Sequence, residues 1–462
     1  MNTDFAKHNR SQAIALIGVL VIVGLLSMLS LSLMYRMNAA ATSSATTLPS
    51  EQAWAVALSG LDQATSAVSD PTRTAIGWMD NPAEFEHQLV YDDGIDKWYY
   101  SVFRQGNLES GDIAYGITDE ASKLPLALTN VTQLLEVPNL TLPLAESLAD
   151  FVDPDSITRD NGAEQDAYDL LPVAYSIPNR QVSFLDELLL ANGVTTGHLY
   201  GEDANRNYKL DINENDGELL MPPDNQDSAL AGGFHRYFTL HSRDWNVDSF
   251  NQPRKNLNST TEELIEFGLD EQLAQFLQAK RTAEQPIESL ADLVGASVTV
   301  TETGNINREY QSGVTEETLS TLIDSYTLQP DPILPGKVNI NTAPANILAQ
   351  IPGIDEELAT AISSTRASIT PEKSRSIAWL LEAGIVNIDQ FKQLERYLTA
   401  RSFQFHVQVV GYGLPSGRFR RLEAIIDLIG PEPRIIYLRD LTKLGVPYHF
   451  SAQRDTNLTQ ND

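Results

Sequence analysis

The longest uninterrupted apolar stretch runs from Ala13 to Leu33, AIALIGVLVIVGLLSMLSLSL, and carries no charge. At about 1.5 Å per helical residue it is long enough to cross the ~30 Å hydrocarbon layer of a bilayer. The pattern then changes. Glu51 to Val68 is rich in Ala and Leu and predicts a helix, with Pro49 and the Ser/Thr-rich stretch before it expected to interrupt or bend the path. Residues 85 to 116 hold short strand-like runs: Gln88 to Tyr91, Trp98 to Phe103 and Ile113 to Tyr115. From about 128 to 400 the character is helical. Ser259-Thr260-Thr261-Glu262-Glu263 offers two overlapping capping boxes before Leu264, Phe267 and Leu273, and another helix is expected around 315 to 326. Near 402 the period becomes two: Phe403, Phe405, Val407 and Val409 alternate with Gln404, His406 and Gln408, the pattern of a half-buried strand. Leu422 to Ile429 and Arg434 to Leu438 predict two more strands. Strands thus bracket a helical middle. The simplest account is one helix-plus-sheet domain whose sheet is completed by the C-terminal strands after a large insertion; two separate β domains are the alternative.

The helical middle contains a repeat. Leu134, Val137, Pro138, Leu140, Leu144, Ala145 and Leu148 correspond at constant offset to Leu348, Ile351, Pro352, Ile354, Leu358, Ala359 and Ile362. The phrase is helix, tight turn at Pro-Asn or Pro-Gly, helix, with Asn139 or Gly353 suited to a left-handed turn and aliphatic positions burying one face. It looks like a helix-hairpin-helix, a unit that in many proteins binds DNA backbone through its turn amides. Here Asp355, Glu356, Glu357 and Glu136 flank the turns and repel phosphate, so a packing role is preferred.

Charge and composition narrow the function. The chain has 462 residues and a net charge of -30, with 42% hydrophobic residues, enough for a sizeable core. The acidity opposes nucleic acid and anionic lipid as partners of the body and favours hard cations. There is no cysteine, which excludes disulfides, thiolate metal sites and cysteine nucleophiles.

One segment has the spacing of a cation loop. In DANRNYKLDINE, residues 203 to 214, oxygen side chains fall at positions 1, 3, 5, 9 and 12: Asp203, Asn205, Asn207, Asp211 and Glu214. Lys209 at position 7 can offer its carbonyl, and Leu210 at position 8 can anchor the loop. This is the rhythm of an EF-hand calcium loop, in which alternate residues turn oxygens inward around one ion. Tyr208 stands where glycine usually makes the sharp turn; a polar turn without metal is the alternative, but five oxygen ligands in register with a terminal Glu rarely arise that way, so calcium is favoured. A second carboxylate group, Asp153, Asp155, Asp160 and Glu164, fits no metal template by spacing; it could hold a second ion, contribute to the first or be a solvated turn.

Lys7 and Arg10 precede the apolar run, so the short N-terminus is expected in the cytoplasm with the remainder across the membrane. Three kinds of segment share such a run: a secretory signal cut near Ala39 to Ala41, a plain single-span anchor, and a type IV pilin-like leader cut before the run, whose helix survives. The phrase Ala15-Leu16-Ile17 with Val19-Leu20 resembles the start of the last.

Taken in order, several phrases resemble the general secretion pathway protein K family, the K-type minor pseudopilins of type II secretion: ALIGVL in the leader, DEASKLPL at 119 to 126, LADFVDPDSITRDNGAEQDAY at 148 to 168, GKVNINTAPANIL at 336 to 348, and the closing SFQFHVQVVG and RLEAIID. The resemblance implies an α+β, pilin-like fold. It divides the chain into a prepilin-type leader (1–13), a transmembrane and filament-core helix (14–35) and the first part of the pilin-like domain (36–127). These are followed by an inserted, mainly α-helical domain with the calcium loop (128–400), C-terminal strands completing the antiparallel sheet (401–450) and a flexible tail (451–462). It further implies a structural Ca2+ and cleavage by a prepilin peptidase between Ala13 and Ile14. The expected place is the inner membrane, single-pass, with the main body in the periplasm, and the expected partners are other minor pseudopilins and the major pseudopilin. Pilin-like subunits generally carry a glutamate at the fifth position after the cut to pair with the neighbour above; here that position is Gly18, which suits a subunit at the filament tip. Ala13 stands where the family usually has glycine.

An enzyme is not expected. The histidines, at 8, 87, 198, 235, 241, 406 and 449, form no zinc-ligand pair at helical spacing. No nucleophile elbow or phosphate-cradling glycine loop is present. A membrane-anchored calcium-binding adhesin or sensor shares the anchor and the loop but leaves the C-terminal strands unexplained. A DNA-uptake pilin using the hairpins requires salt-sensitive DNA binding, which the charge opposes.

Overall fold

The structure, a computed structural model, describes residues 4–450 apart from 71–72, 74, 107–111, 127–129, 136, 138–139, 218, 220–223, 225 and 303–305. The first helix, α1, is continuous over Asp4–Ser69 and passes through Pro49 without a break. The interruption expected at Pro49 therefore does not occur: the ring costs one backbone hydrogen bond, and the flanking turns carry the axis through it. Within α1, Gly18–Ala39 is long and apolar enough to cross a membrane, with mean hydropathy 2.2 and none of it buried. Ala13 and Ile14 lie in the same helix, but their side chains are outside the described residues, as is the tail 451–462.

The second half of α1 is a packing stripe. Ala53, Val56, Ala57, Leu61, Ala64, Ala67 and Val68 recur at three- and four-residue spacing and are all buried. They lie on an antiparallel sheet whose main path is β1 (Gln88–Asp92), β2 (Lys97–Gln105), β3 (Gln404–Leu414), β4 (Phe419–Asp427) and β5 (Arg434–Asp440). Two short segments, Ile113–Ala114 and Thr118–Asp119, pair with β2 and β3. Helix and sheet approach closely at two glycines. A Cβ on Gly60 would come 2.6 Å from Val409 Cγ2, and one on Gly411 would come 2.4 Å from the Ala53 carbonyl oxygen.

The central pairing joins distant sequence: Val102 faces Val409 and Tyr99 faces Tyr412 across β2 and β3. The chain leaves the sheet after the short segment at 118–119 and returns at Gln404. The intervening part has its own core, including Phe151, Phe276, Trp379 and Phe391, all buried. It is less uniformly helical than its periodicity predicts. Alongside helices such as Glu271–Thr282 and Glu316–Ser325 it contains small strand pairs, among them Ser297–Glu302 with Ile306–Gln311. Of the two overlapping capping boxes, the second is used: Thr260 Oγ1 accepts from the Glu263 amide, and the Glu263 carboxylate accepts from the Thr260 amide.

The strand expected to be half-buried is buried on both faces. Phe405, Val407 and Val409 pack with α1, whereas His406, Gln408 and Val410 face the other way. The polar positions are not solvated but bonded. Gln404 Oε1 accepts from the Arg243 amide at 2.7 Å, and its Nε2 donates to Asp427 Oδ1 at 2.8 Å. His406 Nε2 lies 2.9 Å from Glu423 Oε1. Gln408 Nε2 donates to Tyr208 Oη at 2.8 Å. The inserted part docks on this polar face.

The phrases DEASKLPL and GKVNINTAPANIL meet at the same junction. Asp119, buried, accepts from the Ala121 amide, from Thr342 Oγ1 and Ser402 Oγ at 2.5 Å, and from Asn339 Nδ2 at 3.2 Å. Burial pushes its carboxyl up to about 6 despite these donors.

Candidate metal loops and their seating on the sheet

The segment 203–214 forms a tight loop whose backbone explains the oxygen rhythm. Asp203 Oδ1 accepts from the Asn207 amide at 2.9 Å and Oδ2 from the Tyr208 amide at 3.1 Å. Asn205 Oδ1 accepts from the Asn207 amide, and Asn207 Oδ1 from the Lys209 amide. Tyr208 takes φ +63°, the left-handed conformation for which glycine is favoured, so the departure at position 6 changes the residue and not the turn. The strain of order 1 kcal/mol is offset by the buried ring, which packs edge-on against Phe103 of β2.

The donor set fits a hard cation in kind. Asp211 Oδ2 accepts from Asn205 Nδ2 at 2.7 Å and Asn207 Nδ2 at 2.9 Å. Glu214 Oε2 accepts from the Asp211 amide at 3.1 Å, while Oε1 is buried without a partner. Burial pushes the Glu214 carboxyl up to about 7. A buried carboxylate oxygen without a donor is an acceptor with capacity for a water or a cation. Against this, Arg236 Nη2 lies 3.5 Å from Asp203 Oδ2 and supplies part of the positive charge. The carboxylates of Asp203, Asp211 and Glu214 are not among those drawn within 4.8 Å of one another.

The second acidic group is. Oxygens of Asp153, Asp155 and Glu164 lie within 4.8 Å of one another, whereas Asp160 is exposed and stands apart. Asp153 Oδ1 and both Glu164 oxygens are buried without partners. Burial, with Asp150 and Asp153 nearby, holds the Glu164 carboxyl above its ordinary range. Arg159 pairs with Asp150 and, at 2.6 Å, with Asp153 Oδ2. Sequence proximity groups these acids with Asp160 but cannot separate the trio from it, because Glu164 is brought back by a turn in which Gly162 packs closely on Asp150.

The first loop is fastened to the sheet by a residue that spacing did not mark. Arg421 of β4 is fully buried; its Nη1 donates to the Asn205 carbonyl at 2.9 Å and its Nη2 to the Arg206 carbonyl and to Gln408 Oε1. Tyr208 and Arg421 therefore seat the loop on the face opposite α1.

The repeated helical phrase is regular in backbone. Val137 and Leu140 amides donate to Leu134 and Val137 carbonyls, and Ile351 and Ile354 amides donate to Leu348 and Ile351. Ala145 bonds back to Thr141 as Ala359 does to Asp355. The short helices Val131–Leu135 and Leu142–Val152 match Ala345–Leu348 and Glu356–Thr365, and Gln133 Nε2 donates to the Gln350 carbonyl, so the two pairs touch. The turn at Pro138-Asn139 lies outside the described residues; in the second, Gly353 takes φ +93°.

No curated protein matches the chain. Five chains among solved structures do. One comes from the crystal structure of the GspK-GspI-GspJ complex of the enterotoxigenic Escherichia coli type 2 secretion system. It is 12% identical, covers 88% of this chain and 99% of that chain, and has a TM-score of 0.37. The family model described as type II secretion system (T2SS), protein K, first part, matches residues 107–200, the stretch in which the chain leaves the sheet and forms the acidic trio. Over that segment the chain is similar to the type II secretion system protein K family.

Proposed function

We propose that the chain is a non-enzymatic minor pseudopilin at the tip of the type II secretion pseudopilus, where it helps initiate assembly and so supports protein export across the outer membrane. The observation that carries this reading is the family match over 107–200, within a chain that joins one long N-terminal helix to an antiparallel sheet interrupted by a large insertion. In this reading α1 is first an inner-membrane anchor with the body in the periplasm, then a filament element. A prepilin peptidase cuts between Ala13 and Ile14, and Gly18 at the fifth mature position leaves no carboxylate for a subunit above. The partners are the other minor pseudopilins and the major pseudopilin, not nucleic acid. The repeated helix pairs are helix-hairpin-helix units used for packing. Co-expression of the full chain with its peptidase and the other minor pseudopilins tests it. The expected result is a mature chain starting at Ile14 that co-purifies with them; a chain still starting at Met1 and purifying alone overturns it.

Structural Ca2+ belongs to the same proposal. Asp203, Asn205, Asn207, Asp211, Glu214 and the Lys209 carbonyl would hold one ion, and Asp153, Asp155 and Glu164 another. The ion supplies positive charge to loops whose buried carboxylate oxygens otherwise lack donors. Calorimetric titration of the detergent-solubilised chain is expected to show calcium binding that Asp203→Ala or Glu164→Ala reduces in stoichiometry. No calcium heat in the wild type would remove the ion from the account.

A further inference from the structure

Away from both acidic loops, the inserted part has a cavity of about 650 Å³, open to solvent, with a different electrostatic character. Its wall carries six cations, Arg254, Lys337, Arg375, Lys392, Arg396 and Arg401, against four acids, Asp244, Glu288, Asp292 and Glu395. The chain as a whole has 32 basic and 62 acidic side chains, so this local excess reverses the global balance.

Two of the four acids are bonded within the protein, while Asp244 Oδ1 is buried without a hydrogen-bond partner. Glu395 accepts from Ser289 Oγ and from the Leu290 amide, and Asp292 accepts from the Glu288 and Ser289 amides. Lys392 is 3.7 Å from Asp292, and Arg401 is 3.9 Å from Asp244. Among the described residues, Arg254, Lys337, Arg375 and Arg396 have no carboxylate within 4.0 Å. Lys337 Nζ donates at 2.8 Å to the Glu395 carbonyl. Arg254 uses only Nε, on the Asp324 carbonyl, and its two Nη groups have no protein partner. Burial depresses both cations, with repulsion from Arg401 on Arg254 and from Arg254 on Lys337; Asp244 pulls the other way on both, Glu395 on Lys337, and Asp324 and Asp248 on Arg254. In a chain with nearly twice as many acids as bases, a surplus of two cations around an open cavity makes this one place attractive to a small anion.

We infer that this cavity binds a small anion carrying two or more charged oxygens, of the phosphate or di- and tricarboxylate class, through Arg254 and Lys337 on its inner wall and Arg375 and Arg396 at its rim. The volume is that of an ordinary small-molecule site. Guanidinium groups match the paired oxygens of carboxylate and phosphate.

The test is isothermal titration of the full chain in detergent with inorganic phosphate and, separately, citrate, at ionic strength held constant with NaCl. Saturable binding by one or both is expected, and the anion that binds tighter assigns the class. Arg254→Gln with Lys337→Met should weaken it by about tenfold or more. Because that pair sits in the protein interior, Arg375→Gln with Arg396→Gln, both exposed, is the companion variant; it should weaken binding while leaving the melting temperature unchanged. Arg180→Gln, outside the cavity, should bind as wild type. Absence of saturable heat with both anions, or equal affinity in wild type and both double variants, overturns the inference.

Discussion

At the scale of single residues, Asp119 concentrates the junction. It is acidic, buried and surrounded by donors from three separated stretches of chain: the Ala121 amide, Asn339 and Thr342, and Ser402. Its folded-state value of about 6 stands above the ordinary 3.8, so between those values the native state holds a proton that the unfolded chain releases. Its stabilising contribution is therefore full below about pH 4 and is lost as pH rises through about 6. The loss amounts to about 3 kcal/mol. Asp119→Asn is expected to be less stable than wild type at every pH, through mismatched donors. The difference between the two should narrow as pH rises from 4.5 to 6.5, because only the wild type pays the ionisation cost. Urea midpoints across that range check it; a difference that stays constant would show that Asp119 does not titrate there.

At the scale of elements, α1 lies flush on the sheet because two positions lack a side chain. Gly411 of β3 faces the Ala53 carbonyl and the Ala57 backbone, atoms that cannot move without lifting the helix. Gly411→Val should therefore destabilise the protein by about 3 kcal/mol or more, through overpacking against backbone. Gly417→Val, at a turn position with nothing nearby but φ +69°, separates packing from backbone strain and should cost less. Equal losses in thermal melts would argue against close helix–sheet contact as the cause. The alternation in β3 belongs to this scale too. Its polar set was legible as a strand face, but whether that face meets water or protein is decided by what docks on it. Here Gln404, His406 and Gln408 each find a partner from the insertion or a neighbouring strand.

At the scale of the whole molecule, two large apolar cores are joined through a seam of polar contacts and one small cluster, Tyr99, Phe103, Tyr208, Val410 and Tyr412. One lies between α1 and the sheet, the other inside the insertion. Arg421 crosses the seam, holding the carbonyls of Asn205 and Arg206 and the Gln408 side chain. Arg421→Met keeps the volume and leaves three acceptors without a donor. The expected loss is about 2–4 kcal/mol, with faster proteolysis between the sheet and the 203–214 loop. Limited proteolysis with mass-spectrometric mapping reads this out; wild-type cleavage kinetics would mean that the two parts are held by other contacts.

Much of this was written locally in the chain. The apolar run over 13–33, the strands near 88–92, 97–105 and 404–440, the Thr260 cap and the matched helix pairs all follow from period and capping chemistry, which act within a few residues. The oxygen rhythm of 203–214 was local too, and in the fold the Asp203, Asn205 and Asn207 oxygens accept from the loop's own backbone amides. What the sequence could not determine depends on residues far apart. The pairing of β2 with β3 joins positions some three hundred residues apart. The Asp153, Asp155 and Glu164 trio needs a turn to return Glu164 to the others. The Arg421 fastening and the cationic cavity need strands and loops from across the insertion, and Coulomb forces and hydrogen bonds act between neighbours in space, whatever their order along the chain. The apolar helix shows the same division. Its length and hydropathy were fixed locally, but its far half becomes a packing element only because a sheet assembled from both ends of the body presents Gly411 and Val409 to it.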